Sequence, residues 1–126
     1  MQSLIIKLAA IFGILAISIG AFGAHVFKTT LINNNTLSAF NTAVQYHFYH
    51  TLALLFLAFY ASHNNNKHIK RSAISFSLGI ILFSGSLYTL AITGIKTLGA
   101  ITPLGGIAFI IGWIFLFLST SKNQKV

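Results

Sequence analysis

Four stretches of the chain stay almost continuously apolar for the length of a membrane-crossing helix, and charged residues gather only near their ends. Intervals free of charge run from Leu8 to Phe27, Thr29 to Asn66, Ser72 to Ile95 and Thr97 to Ser121. A spanning helix needs about 20 mostly apolar residues. Trimming the polar ends predicts helices at about 4–24, 39–61, 72–93 and 98–118. Spanning strands would alternate lipid-facing and lumen-facing positions, and Ile107-Ala-Phe-Ile-Ile-Gly-Trp-Ile-Phe-Leu-Phe-Leu118 does not alternate.

The connections are short: Lys28–Ser38 with its Asn33-Asn-Asn35 turn, the basic Ser62–Arg71 loop, and the tight Gly94–Thr97 turn. Short connections place consecutive helices side by side and antiparallel. The expected fold is therefore all-α, an integral membrane four-helix antiparallel bundle in a single domain over residues 1–126. Met1–Gly23 also has marks of a secretory signal, with Lys7 before an apolar core and small residues at Ala21 and Gly23; we read it as a retained first span. No internal repeat relates the two halves, which argues against an inverted-repeat transporter.

Small residues mark the faces expected to pack. They recur at helical heptad spacing as Ala9, Gly13, Ala16, Gly20 and Gly23 in the first span, Ser75, Gly79, Ser86, Thr89 and Thr93 in the third, and Gly105, Ala108, Gly112 and Ser119 in the fourth. In lipid there is little hydrophobic drive between helices, so close backbone approach through small residues supplies the contacts. In the second span Ala43, His47, His50, Leu54, Ala58 and Ala61 share a stripe, while Phe48, Leu52, Leu55, Phe56 and Phe59 fall opposite. The first stripe suits the interior and the second suits lipid. Asn41 and Gln45 sit near the helix end, where headgroups and water satisfy them.

Composition and charge sharpen this picture. Soluble domains carry about a quarter charged residues, whereas this chain has 6%, with 56% hydrophobic, eight Lys/Arg and no Asp or Glu. The pI near 10.2 invites a nucleic-acid reading, but the cations are scattered between apolar segments and form no face that tracks phosphates. The expected partner is the lipid bilayer, not nucleic acid. Lys7, Lys67, Lys70, Arg71, Lys122 and Lys125 fall on one side and only Lys28 and Lys96 on the other. The positive-inside bias then places both termini in the cytoplasm of a multi-pass cell membrane protein. The basic loop is read as a topology signal rather than as lipid-headgroup recognition. With no cysteine and one methionine, thiolate catalysis and soft-metal ligation are excluded.

The candidate chemistry lies in Asn41-Thr-Ala-Val-Gln-Tyr-His-Phe-Tyr-His50. In the orientation above, His47 and His50 fall in the outer half with Tyr88, Thr89, Thr93 and Thr102, and His25 joins them if the first helix bends at Gly20/Gly23. Trp113 and Tyr60 read as interfacial aromatics of an apolar inner half. A neutral imidazole in hydrocarbon needs a partner for each nitrogen. For His50 the expected partners are Tyr88, Ser84, Thr89, carbonyls near Pro103, water or a ligand. Tyr46, His47, His50, Tyr88 and His25 form the tentative ligand-binding set, with no catalytic or metal-ligating residue assigned. Pro103 is expected to open the fourth helix after a short lead-in, since early helical amides lack partners anyway.

The segments Gly20-Ala-Phe-Gly-Ala-His25, Thr42-Ala-Val-Gln-Tyr-His-Phe-Tyr-His50, Leu52-Ala-Leu54, Gly85-Ser-Leu-Tyr88, Thr102-Pro-Leu-Gly-Gly106 and Gly112-Trp113 carry a resemblance. In them the chain resembles the YwdK/YgdD-like family of small four-helix membrane proteins, a domain of unknown function. The resemblance implies four spans and supplies no activity.

The leading functional expectation is a structural or auxiliary, non-enzymatic membrane protein without a cofactor, acting as a homo-oligomer or within a larger membrane complex. The alternative is outer-side binding or transport of a small molecule, lipid or ion through a His/Tyr-lined cavity. Haem or metal binding through the histidines ranks below both, because no acidic residue exists to orient them. A hydrolase or transferase lacks its nucleophile–base–acid set.

Overall fold

The computed structural model describes residues 1–121, which are helical almost throughout and contain no strand. The elements are α1 (Gln2–Ala24), the short α2 (Lys28–Asn33), α3 (Leu37–Ala61), α4 (Lys67–Gly79), a π-helical turn (Ile80–Ser84), α5 (Gly85–Thr93), a 3-10 turn (Lys96–Ala100) and α6 (Thr102–Ser119). Gln2–Ala24, Lys67–Thr93 and Lys96–Ser119 are long and apolar enough to cross a membrane. α3 is as long, at 25 residues, but carries the polar Asn41–His50 run.

Each long element packs antiparallel on the next. Along the α1/α3 contact Gly13 lies against Thr51, Gly20 against Val44 and Gly23 against Phe40. α3 in turn meets the Lys67–Thr93 rod, with Thr36 beside Ala91 and Ala43 beside Ser84. That rod packs on α6 with Phe83 against Gly105, Phe109 against Gly79 and Phe76 against Gly112. Glycine is needed where the rod meets α6. A Cβ on Gly105 would stand 2.3 Å from the Phe83 backbone nitrogen, and one on Gly112 would stand 2.5 Å from the Phe76 ring. The small stripes expected in the first and fourth spans are thus the contact faces.

The third stripe is corrected. Ser75 is half-buried and Gly79 and Ser86 are buried, but Thr89 and Thr93 are exposed and bond carbonyls of their own helix. The buried face instead runs Ile69, Ala73, Phe76, Ile80, Ser84, Tyr88 and Ala91. The π turn inserts one extra residue into the helical count, so the inward face advances by one position beyond Ile80 and a strict heptad runs off it.

Three connections also differ from expectation. Lys28–Ser38 contains the helix α2, closed by Asn35 in the left-handed region at φ 55°. Lys67, Lys70 and Arg71 are helical rather than looped, because Asn66 Oδ1 accepts the His68 amide at 2.9 Å and starts α4 there. α6 begins at Thr102 with Pro103 in its first turn, after the 3-10 lead-in, which fits the expected role of that proline. At the far end of α5, Gly94 ends the helix at φ 72°. Asn34 donates to the Ala91 and Ile92 carbonyls there and Thr36 to Ala91, satisfying acceptors that a helix C-terminus leaves free. Lys122 and Lys125, which the orientation argument counts, lie outside the described residues.

Buried apolar side chains form two clusters. One gathers Ile5, Phe12, Leu54, Leu57, Ile69, Phe76 and Phe109, and the other Leu31, Phe40, Ala43, Tyr88 and Ala91. His47 and His50 fall between Ala43 and Leu54, at the junction of the two.

Candidate functional site

The 3.6-residue period that puts His47 and His50 on the inner stripe of α3 also separates them. Three residues advance the helix by about 300°, so the two rings leave α3 about 60° apart and meet different neighbours. Both are buried, at 2% and 5% exposure.

His47 turns toward α1 and α5. Its Nδ1 lies 2.9 Å from the Tyr88 hydroxyl, and its ring meets Phe12 edge-on at 6.0 Å. Nε2 is buried near the Phe12 backbone without completing a hydrogen bond. Tyr88 is held in place by Phe40, whose ring centre is 5.4 Å away.

His50 turns toward α6. Its Nδ1 lies 2.8 Å from the Tyr46 carbonyl oxygen, and the indole Nε1 of Trp113 donates to its Nε2 at 3.1 Å. A carbonyl only accepts and an indole N–H only donates, so these partners fix one neutral tautomer, with the proton on Nδ1. Phe109 stacks on the imidazole at 3.5 Å with 12° between planes, and Phe76 approaches at 5.4 Å. Both nitrogens are therefore occupied by protein groups. Trp113 is the partner that sequence reasoning missed, since a tryptophan in an apolar span reads first as an interfacial anchor.

Beside His50 a groove of about 480 Å³ opens between α3 and α6, lined by Tyr46, His50, Phe83, Pro103, Phe109 and Trp113 among others. Tyr46 stacks on Phe83 at 4.6 Å across its floor. A second, shallower hollow of about 580 Å³ follows the first turns of α3 past Asn35, Asn41 and Gln45.

The five expected site residues do not form one set. Tyr46 and His50 share the groove; His47 and Tyr88 pair with each other on the α1 side; His25 is exposed just past the end of α1. The bend that would have turned His25 inward is absent, because α1 runs unbroken to Ala24. His50 also lies at the middle of α3, fourteenth of its 25 residues, rather than toward one end.

Around this centre, side-chain hydroxyls tie helix to helix. Ser84 in the π turn donates to the Ala43 carbonyl at 2.7 Å, Ser72 to the Gly112 carbonyl at 2.8 Å, and Ser86 and Thr102 share a hydrogen bond at 2.7 Å. With the two histidine pairs, these link α3, the Lys67–Thr93 rod and α6 at several levels.

Residues 19–106 match the family model described as "Protein of unknown function (DUF423)". The chain belongs to this family. It is 46% identical to the UPF0382 membrane protein YwdK of Bacillus subtilis over 93% of this chain and 95% of that one. It is 36% identical, along the full length of both, to a UPF0382 membrane protein of Haemophilus influenzae. To the UPF0382 inner membrane protein YgdD of Escherichia coli it is 36% identical, over 93% of this chain and 88% of that one. No solved structure matches. The resemblance drawn from the sequence segments is thereby confirmed, and the chain is a membrane protein of a family without an assigned activity. The matched region holds Tyr46, His47, His50 and Tyr88, while Trp113 lies beyond its last residue.

Proposed function

We infer that this is a non-enzymatic, structural or auxiliary protein of the cell membrane, crossing it four times with both termini cytoplasmic. The observation that carries the reading is the use made of the interior polar groups. Tyr88, Trp113, Ser72 and Ser84 each bond across a helix interface, to His47, His50 and the Gly112 and Ala43 carbonyls. Polar groups committed to one another hold helices together, and of the four nitrogens of His47 and His50 only Nε2 of His47 lacks a partner. The chain's lack of Asp, Glu and Cys supports the non-enzymatic part.

Packing depth supports the four crossings. α3 lies antiparallel along α1 from Phe40/Gly23 to Thr51/Gly13, so a bilayer that holds α1 holds α3 at the same level. Asn66 reaches the Ser119 carbonyl at 3.4 Å, which puts the basic start of α4 at the same end as the close of α6. Lys28 and Lys96 belong to the connections at the other end. The cation asymmetry then favours cytoplasmic termini. The protein acts by association, with its own copies or within a larger membrane complex.

One observation favours a second reading, binding of a small apolar molecule: the groove beside His50. Haem ligation through His50 Nε2 would displace the Trp113 indole, although the bond from Nδ1 to the Tyr46 carbonyl could stay. The experiment compares wild type, His50→Gln and His50→Leu after detergent purification, by melting temperature, visible spectrum and mass spectrometry of retained molecules. The structural reading expects no chromophore, no stoichiometric ligand, and His50→Leu melting below wild type because Trp113 loses its acceptor. A stoichiometric ligand retained by wild type and lost from His50→Gln would replace it with the binding reading.

A further inference from the structure

The exposed stripe of α4 changes character along its length. Lys67, Lys70 and Arg71 are followed at helical spacing by Ile74, Leu78 and, in the π turn, Ile81, all exposed. Cations thus cap one end of an apolar strip on a single helix face. Beside them Phe115 of α6 is clasped by two α4 side chains: the Arg71 guanidinium lies 5.6 Å from the ring centre, and the His68 ring stacks at 5.9 Å with 26° between planes. Arg71 is therefore braced against an aromatic face rather than swinging free.

No Asp or Glu exists in the chain to neutralise these cations, so no side chain of the protein supplies their countercharge. We propose that Lys67, Lys70 and Arg71 form a recognition site for the phosphate of an anionic membrane phospholipid, whose hydrocarbon lies along Ile74, Leu78 and Ile81. The apolar continuation selects a lipid over a free anion. A soluble phosphate would use the cations and gain nothing from the strip, whereas a phospholipid engages both. Nucleic acid would require cations along the helix, not at one end. Arg71 contributes a planar fork matched to phosphate oxygens, and Phe115 positions it.

On this proposal the basic segment binds lipid in addition to marking topology. It rests on the membrane reading above but not on the orientation, because detergent-solubilised protein presents both ends equally. An inverted topology would leave the lipid result unchanged, and labelling of each end decides topology independently.

The test is native mass spectrometry of the full chain offered equal phosphatidylglycerol and phosphatidylcholine, with melting temperatures recorded in parallel. Wild type is expected to retain phosphatidylglycerol preferentially, and the preference is expected to fall about fivefold for each cation removed in Lys67→Gln, Lys70→Gln and Arg71→Gln. Phe115→Leu alters no charge and is expected to lower the preference through loss of the brace. Arg71→Lys, which keeps the charge without the fork, is expected to lower it too and serves if Phe115→Leu does not fold. A matched control, Lys7→Gln/Lys28→Gln/Lys96→Gln, removes three exposed cations outside the Lys67–Arg71 stretch and is expected to keep it. Equal loss in the control and in the combined Lys67→Gln/Lys70→Gln/Arg71→Gln variant, or an unchanged preference in Arg71→Lys and Phe115→Leu, would reduce the effect to bulk charge and overturn the site. Displacement of phosphatidylglycerol by an equal concentration of inorganic phosphate would overturn the lipid assignment.

Discussion

At the scale of single residues, the energetics turn on buried polar groups and the partners they find. His47 and Tyr88 share a hydrogen bond in a site closed to water. Interhelical side-chain bonds of this kind contribute about 0.6 kcal/mol on average and up to about 1.7 kcal/mol in membrane proteins. Tyr88→Phe should therefore lower stability by an amount in that range. The double variant His47→Phe/Tyr88→Phe should lie closer to wild type than the two single losses summed, because removing both polar partners leaves no orphan. Reversible unfolding in detergent with a double-mutant cycle measures this, and strict additivity would mean that the bond carries no coupling energy. His50 was legible as an interior residue from its stripe, but its partner was not. Pairing across a helix interface depends on the rotation of α6 about its own axis, and Trp113 on an apolar run gives no sign of which way it turns.

At the scale of the elements, the adjacent glycines at the start of α6 make opposite demands. Gly105 faces the Phe83 backbone, while a Cβ on Gly106 would meet only Cδ2 of the Phe83 ring at 3.9 Å. Gly105→Ala should lower the melting temperature clearly, since backbone must move. Gly106→Ala should be neutral or slightly stabilising, as glycine in a helix interior costs up to about 1 kcal/mol relative to alanine. Equal damage at both would contradict the packing of α6 on the π turn. On the same logic Gly112→Leu should disrupt the fold and the exposed Phe56→Leu should be mild. The apolar spans and the inward faces of α1, α3 and α6 could be read from composition and period because each is a regular helix with one rotation throughout. The inward face of the Lys67–Thr93 rod could not, because the π turn changes its rotation midway with neither a proline nor a charge to mark the place. The start of α4 was misplaced for a related reason: Lys67, Lys70 and Arg71 mark the edge of an apolar span, whereas the helix itself begins where Asn66 caps it.

At the scale of the whole molecule, the account treats α3 as a full crossing although its first half carries Asn41, Gln45, Tyr46 and two histidines. The two histidines are covered by its neighbours, while Asn41, Gln45 and Tyr46 are exposed within its first ten residues. A three-crossing protein with α3 on the surface would separate α3 from α1 and put Asn33 and Asn64 on one side. The chain has no cysteine, so single cysteines report position without interference. The decisive measurement is labelling of Asn33→Cys and Asn64→Cys, both at exposed positions flanking α3, by a membrane-impermeant maleimide in intact cells and in inverted vesicles. The account predicts that Asn33→Cys reacts from outside and Asn64→Cys only from the cytoplasmic face. Reaction of both from the same side would contradict it.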